Sequence, residues 1–252
     1  MIATHHFKPV SWRGLLPAIS TGVKLHRLLS AIFLLIAPVS ASAATIDFTG
    51  LGKAEAVTIY GIRGGATGLR VWAGELTWAW LDGKPAGAGD SFYSYCVDIM
   101  NDERDVQYNV GIRSTDAMST DSMITAGNAA QKAVWLFDTF AANAHTSSSL
   151  AAGLQLAIWE VLFDTGNSLS SGSNFYVSGA STAAMSAGAW YLSQLNALGE
   201  GYLSAPSALW LDVASGRGQD QITRTVPEPT TLALLATGAL AAVIRRRKSS
   251  QA

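Results

Sequence analysis

Disulfide chemistry is closed to this chain of 252 residues, because it has a single cysteine, Cys96. Histidine is almost as scarce. Of four, His5, His6 and His26 precede Ala44, so only His145 is left to serve a cysteine nucleophile as a base. Phosphate-binding loops are missing too: Gly64, Gly65 and Gly68 are not followed by a helix opening on Lys-Ser/Thr. The acidic stretch with Asp98, Asp102, Glu103 and Asp105 lacks the spacing and central glycine of a Ca²⁺ loop, and reads as a solvated hairpin tip. No regular threonine ladder suggests an ice-binding face. Eight tryptophans invite a carbohydrate reading, but Trp78, Trp80, Trp135 and Trp159 fall on core-type stripes.

Positive charge is scarce in the middle of the chain. Four of the 17 basic residues lie before Ala44 and four after Pro229, so nine face all 18 acids, a net charge near −9. Such a segment repels nucleic acid and anionic membrane surfaces and suits a soluble exported domain.

The two ends read as addresses. Lys24, His26 and Arg27 precede an apolar run from Leu28 to Val39, and Ala41-Ser42-Ala43 fits a small-x-small cleavage site. Residues 1–43 are therefore expected to be a signal peptide with an extended leader, removed by signal peptidase. At the other end, Pro227-Glu228-Pro229 is followed by an apolar run from Thr230 to Ile244, then Arg245, Arg246, Arg247 and Lys248. The run is short for a stable span, and the basic cluster would hold its end in the cytoplasm. This order over residues 226–252 resembles the PEP-CTERM sorting signal of Gram-negative bacteria. The resemblance implies an exosortase as processing partner, a transient inner-membrane intermediate through residues 230–244, and delivery to the cell surface or outside.

Between the ends, residues 44–214 read as one exported α+β domain, and 215–225 as a polar linker. Strands are expected at Ala54–Arg63, Leu69–Leu81, Phe92–Ile99 and Val106–Arg113, the last returning antiparallel after the polar loop. A block of about three helices follows, at Thr125–Phe140, Leu150–Phe163 and Ser181–Asn196. Ser147-Ser148-Ser149 offers the N-cap of the second, and Gly166 its end. Ala208–Val213 returns to strand.

The second helix carries the chemistry. Leu154, Ile158 and Val161 form one apolar stripe, with Ala151, Trp159 and Leu162 beside it. Gln155 falls inside the second stripe, where its carboxamide needs partners or must react. Gln131 has a similar Gln-x-Ala-apolar-Trp setting, but Lys132 beside it implies a wetter environment than Leu154 and Leu156 give Gln155. Taken alone, Gln155 is a hydrogen-bonded core glutamine and Cys96 a small core residue.

Tyr95-Cys96-Val97-Asp98 on a strand, Ala133-Val134-Trp135-Leu136 on a helix, and Leu154-Gln155-Leu156-Ala157-Ile158-Trp159-Glu160-Val161 on the next resemble the thioester domain of bacterial surface proteins. The resemblance covers roughly residues 92–164. It implies an internal thioester joining Cys96 Sγ to Gln155 Cδ, with loss of ammonia, and covalent attachment to an amine-bearing target. Tyr95, Trp135 and Trp159 are expected to shield that bond. No metal or cofactor is called for, and one covalent event is not an enzyme's turnover. The alternatives are a structural surface protein of the same fold without the bond, and a secreted cysteine hydrolase using Cys96 and His145.

Overall fold

The computed structural model describes residues 42–61, 65–99, 101, 107–115, 118, 128–199, 208–213 and 218–224. Seven strands and three helices are found there: β1 (Ser42–Gly61), β2 (Gly65–Asp82), β3 (Ser91–Cys96), β4 (Gln107–Ser114), α1 (Ala129–Ala144), α2 (Ser148–Phe163), β5 (Tyr176–Ser178), α3 (Thr182–Ala197), β6 (Ala208–Val213) and β7 (Gln221–Arg224). All pairings are antiparallel, as the α+β reading with three packed helices requires. The order β2-β3-β7-β6-β4-β1 closes on itself, because β1 also pairs β2, and β5 adds to the far half of β1. Closure removes the open edges that a sheet would otherwise expose.

Alternation splits β1 and β2 between two cores. Along the ring, Ile46, Leu76, Trp78, Tyr108, Val110, Ile112, Leu211 and Val213 fill one apolar cluster. Trp78 sits amid Phe48 at 5.3 Å and Tyr108 at 5.8 Å, ring to ring. Its indole N–H donates to Ser94 Oγ at 2.7 Å, and Ser94 in turn donates to Gln221 Oε1 at 2.9 Å. In the far half, Val57, Ile59 and Ala73 face the helices instead and join the larger core with Tyr95, Cys96 and most of α2.

Every residue of α2 from Ala151 to Phe163 is buried. A helix apolar all round must lie inside a layer, here between α1, α3 and the β1–β2 hairpin. Ser147 caps it, its Oγ accepting from Leu150 N at 3.2 Å. The expected end at Gly166 lies two residues too far: extended backbone at Asp164 stops the helix. Gly153 lets α3 come close. A Cβ there would lie 2.7 Å from Ala187 Cβ and 2.8 Å from both Ala184 O and Gly188 N. Gly153→Ala is therefore expected to cost about 1–3 kcal/mol by overpacking, read as a lower denaturant midpoint.

Three sequence expectations need correction. β4 does not hairpin onto β3; it pairs β1 and β6, and β3 lies between β2 and β7. Gln221–Arg224, placed in the polar linker, form β7 in the middle of the sheet. Their polarity misled because Gln221 and Thr223 are buried but satisfied: Gln221 meets Ser94, and Thr223 Oγ1 donates to Tyr93 O at 2.9 Å. β1 begins at Ser42, so cleavage after Ala43 would remove only the pairs Ser42↔Ile112 and Ala43↔Gly111. The rest of the expected signal peptide, and the apolar run at 230–244, lie outside the described residues. Among those residues no helix is long and apolar enough to cross a membrane.

Candidate functional site around Cys96 and Gln155

The β2–β3 ladder runs to Leu76↔Ser94 and stops two residues short of Cys96. On its other side β3 continues, with Cys96 opposite Gln221 of β7. The N–H and C=O of Cys96 are turned the other way, to where β2 no longer supplies a partner. Gln155 fills that place. Cys96 N donates to Gln155 Oε1 at 2.9 Å, and Gln155 Nε2 donates to Cys96 O at 2.8 Å. The carboxamide thus mimics one residue of a strand and is held at two points. Both residues are buried, at 3% and 1% exposure, so the pairing is dry. The Cys96 thiol donates to Asp98 O at 2.7 Å. Gln131, by contrast, is only half-buried on α1.

The expected shell residues belong to the same buried cluster as Cys96. The Tyr95 ring lies edge-on to Phe137 at 6.0 Å, Trp135 edge-on to Phe140 at 5.4 Å, and Trp159 edge-on to Phe175 at 6.5 Å. Trp159 follows Gln155 by one turn.

Glu75 is a participant that sequence reasoning missed. Fully buried on β2, it accepts from Tyr95 OH at 3.3 Å and from Lys53 N at 3.2 Å. His145 Nδ1 lies 3.1 and 3.0 Å from its two oxygens, and the His145 ring stacks on Tyr93 at 4.7 Å. His145 is thus no plain solvated turn residue: it ties the α1–α2 turn to the sheet. Burial first, then the Glu75 charge, pushes the Tyr95 phenol pKa well up, so the ring stays neutral. The only sequence signal for this cluster was a lone acid in an otherwise uncharged strand, Ala73-Gly74-Glu75-Leu76.

Acidic groups border Cys96 on the β7 side. Val97 N donates to Asp220 O at 2.9 Å. Burial raises the Asp220 carboxyl to about 7; the Val213 N–H bond opposes this, and the charges of Asp212 and Asp98 add to it. A folded pKa above the ordinary 3.8 means stability that is present at low pH and lost as pH rises through about 7. Asp220→Asn is therefore expected to gain on the wild type between pH 5 and 8. Discounted for the partial exposure of Asp220, the gain is on the order of 1–3 kcal/mol, read from urea midpoints at both pH values. Asp102, Glu103 and Asp105 lie outside the described residues. Among the described residues, no group of three or more His, Cys, Asp or Glu side chains is placed to hold a metal.

The comparison that carries a function concerns the end of the chain. Residues 225–248 match the PEP-CTERM protein-sorting motif. Pro227, Glu228 and Pro229 and the Arg245-Arg246-Arg247 cluster all lie within the match. A PEP-CTERM motif marks an exported protein that an exosortase processes at the membrane and sorts to the cell surface. The match begins at the residue after β7, so the sorting signal joins the folded domain directly. No curated protein and no solved structure matches the chain.

Proposed function

We propose that this exported PEP-CTERM protein carries an internal thioester between Cys96 Sγ and Gln155 Cδ and uses it to attach covalently to an amine-bearing target. The observation behind this reading is the two-point seating of the Gln155 carboxamide on the Cys96 backbone. A glutamine needed only for packing has no reason to be aligned on the chain's one cysteine.

The same contacts do the chemistry. Sγ attacks Cδ, and the charge that gathers on Oε1 is met by the Cys96 N–H that already donates to it. The thiol proton passes to Nε2, the C–N bond breaks, and ammonia leaves. The product is an acyl electrophile in a dry shell, protected from water. A target amine then attacks Cδ, forming an amide at Gln155 and returning the proton and the thiol to Cys96. The sequence of steps runs once, so the protein is a covalent adhesin and not an enzyme. The acidic exported segment does not repel an approaching lysine.

Intact mass of the purified protein tests the reading: the thioester form is lighter than the sequence by one ammonia. A full-length mass with a titratable thiol would leave a structural surface protein of the same fold. The sorting arm is tested separately. Mature material is expected to end near Pro227-Glu228-Pro229, and recovery of peptides containing Arg245–Lys248 from it would contradict processing.

A further inference from the structure

The far end of α2 holds a second cluster of oxygens, independent of the Cys96–Gln155 pair. Glu160 and Asp164 stand one turn apart there, both buried. The Asp164 carboxylate is fully engaged. Oδ1 accepts from Thr165 N at 2.6 Å and Gly166 N at 3.2 Å, and Oδ2 from Phe175 N at 2.8 Å. Burial would raise its pKa, but these backbone donors outweigh burial and lower it, so Asp164 is ionised. Glu160 is treated differently. Oε1 accepts from Ser168 N at 2.7 Å, while Oε2 is buried with no hydrogen-bond partner. Burial pushes the Glu160 pKa up to about 7 against the Ser168 bond, and the Asp164 charge adds to the rise. Neither carboxylate has an ion-pair partner among the described residues.

The loop after α2 brings further oxygens to the same place. Asp164 Oδ1, Glu160 Oε1 and Ser173 Oγ lie 3.7, 3.8 and 3.8 Å from the point a Cβ on Gly166 would occupy. Next to Gly166, Asn167 adopts the left-handed conformation at φ 50°, and its Oδ1 is buried with no partner. All these donors are oxygen, and two are carboxylates. Zinc and copper favour nitrogen and sulfur, whereas Ca²⁺ takes six to eight oxygens in flexible geometry, backbone carbonyls included. A divalent cation would also balance the two carboxylates, which otherwise face each other without a positive group.

We propose that Glu160, Asp164 and Ser173, completed by oxygens of the 165–175 loop, form a Ca²⁺ site that fastens the C-terminal end of α2 to that loop. The ion would hold Phe175, and through it Trp159, against the helix that carries Gln155. The proposal stands on its own oxygens and not on the thioester.

Purified protein, stripped with chelator and dialysed, is titrated with CaCl₂ by calorimetry and followed by thermal melting. One saturable site and a rise in Tm at saturation are expected, because an ion that binds only the folded state stabilises it. Glu160→Gln is expected to lose both. Gly166→Ala is the cleaner variant: Gly166 is not in the left-handed region, and its added methyl meets only ordinary contacts. It should melt like the metal-free wild type, yet crowd the ion and abolish the response. No heat and no Tm shift at millimolar CaCl₂ would overturn the site. So would an unchanged response in Gly166→Ala, which places the ion elsewhere.

Discussion

Cys96→Ala is expected to abolish uptake of methylamine, the largest change open to a single atom in this fold. With the thioester formed, the wild type should take up one methylamine at Gln155 and reveal one new thiol at Cys96, both seen by peptide mass. Removing Sγ leaves the Gln155 carboxamide and both of its bonds to the Cys96 backbone, so the fold should persist. Gln155→Ala should also end uptake but leave a thiol from the start, and it strips partners from a buried N–H and C=O. That loss makes it the less stable of the two variants. Uptake by Cys96→Ala would defeat the mechanism. A wild type with a full-strength thiol and no uptake would mean that the pair is merely packed.

Trp159→Ala is expected to have the largest effect on stability. Trp159 is 2% exposed, its ring lies beside Phe175, and it sits one turn from Gln155. Truncating a buried indole to a methyl group costs about 3–5 kcal/mol in lost burial and cavity. The cavity would admit water next to the acyl carbon, so the bond should hydrolyse faster than in the wild type. Thiol release against time, below the melting point of the variant, measures this. A large fall in Tm with unchanged hydrolysis would show that Trp159 supports the helix but does not shield the bond.

What could be read from the sequence tracks how local each signal was. α2 and its cap at Ser147 were legible because apolar spacing and a serine before it are local facts. β6 was legible for the same reason: Ala208-Leu209-Trp210-Leu211-Asp212-Val213 alternates by itself. Strand partners were not, because β4 finds β1 and β6 across long stretches of chain that no local pattern encodes. β7 was missed because burial of Gln-Ile-Thr-Arg depends on Ser94 and Tyr93, far away in sequence. Cys96 and Gln155 were named as a pair from a family resemblance; composition offered only a core cysteine and a core glutamine. Glu75 and Glu160 gave no warning, since a single acid in a strand or helix reads as solvent-facing until the surrounding layers are in place.

The position of β7 also sets an order of events in time. Export feeds the chain from its N-terminus, so β3 and β6 cross the membrane well before Gln221–Arg224. Until those four residues emerge, the ring is a sheet with two open edges, one of them at Cys96. The last strand to arrive is followed within a few residues by Pro227, the beginning of the sorting signal. Completion of the fold and presentation of the tail to the exosortase are therefore nearly simultaneous. A chain cut loose too early, before Arg224, would lose the clasp of its own sheet, so quality control and sorting read the same short stretch.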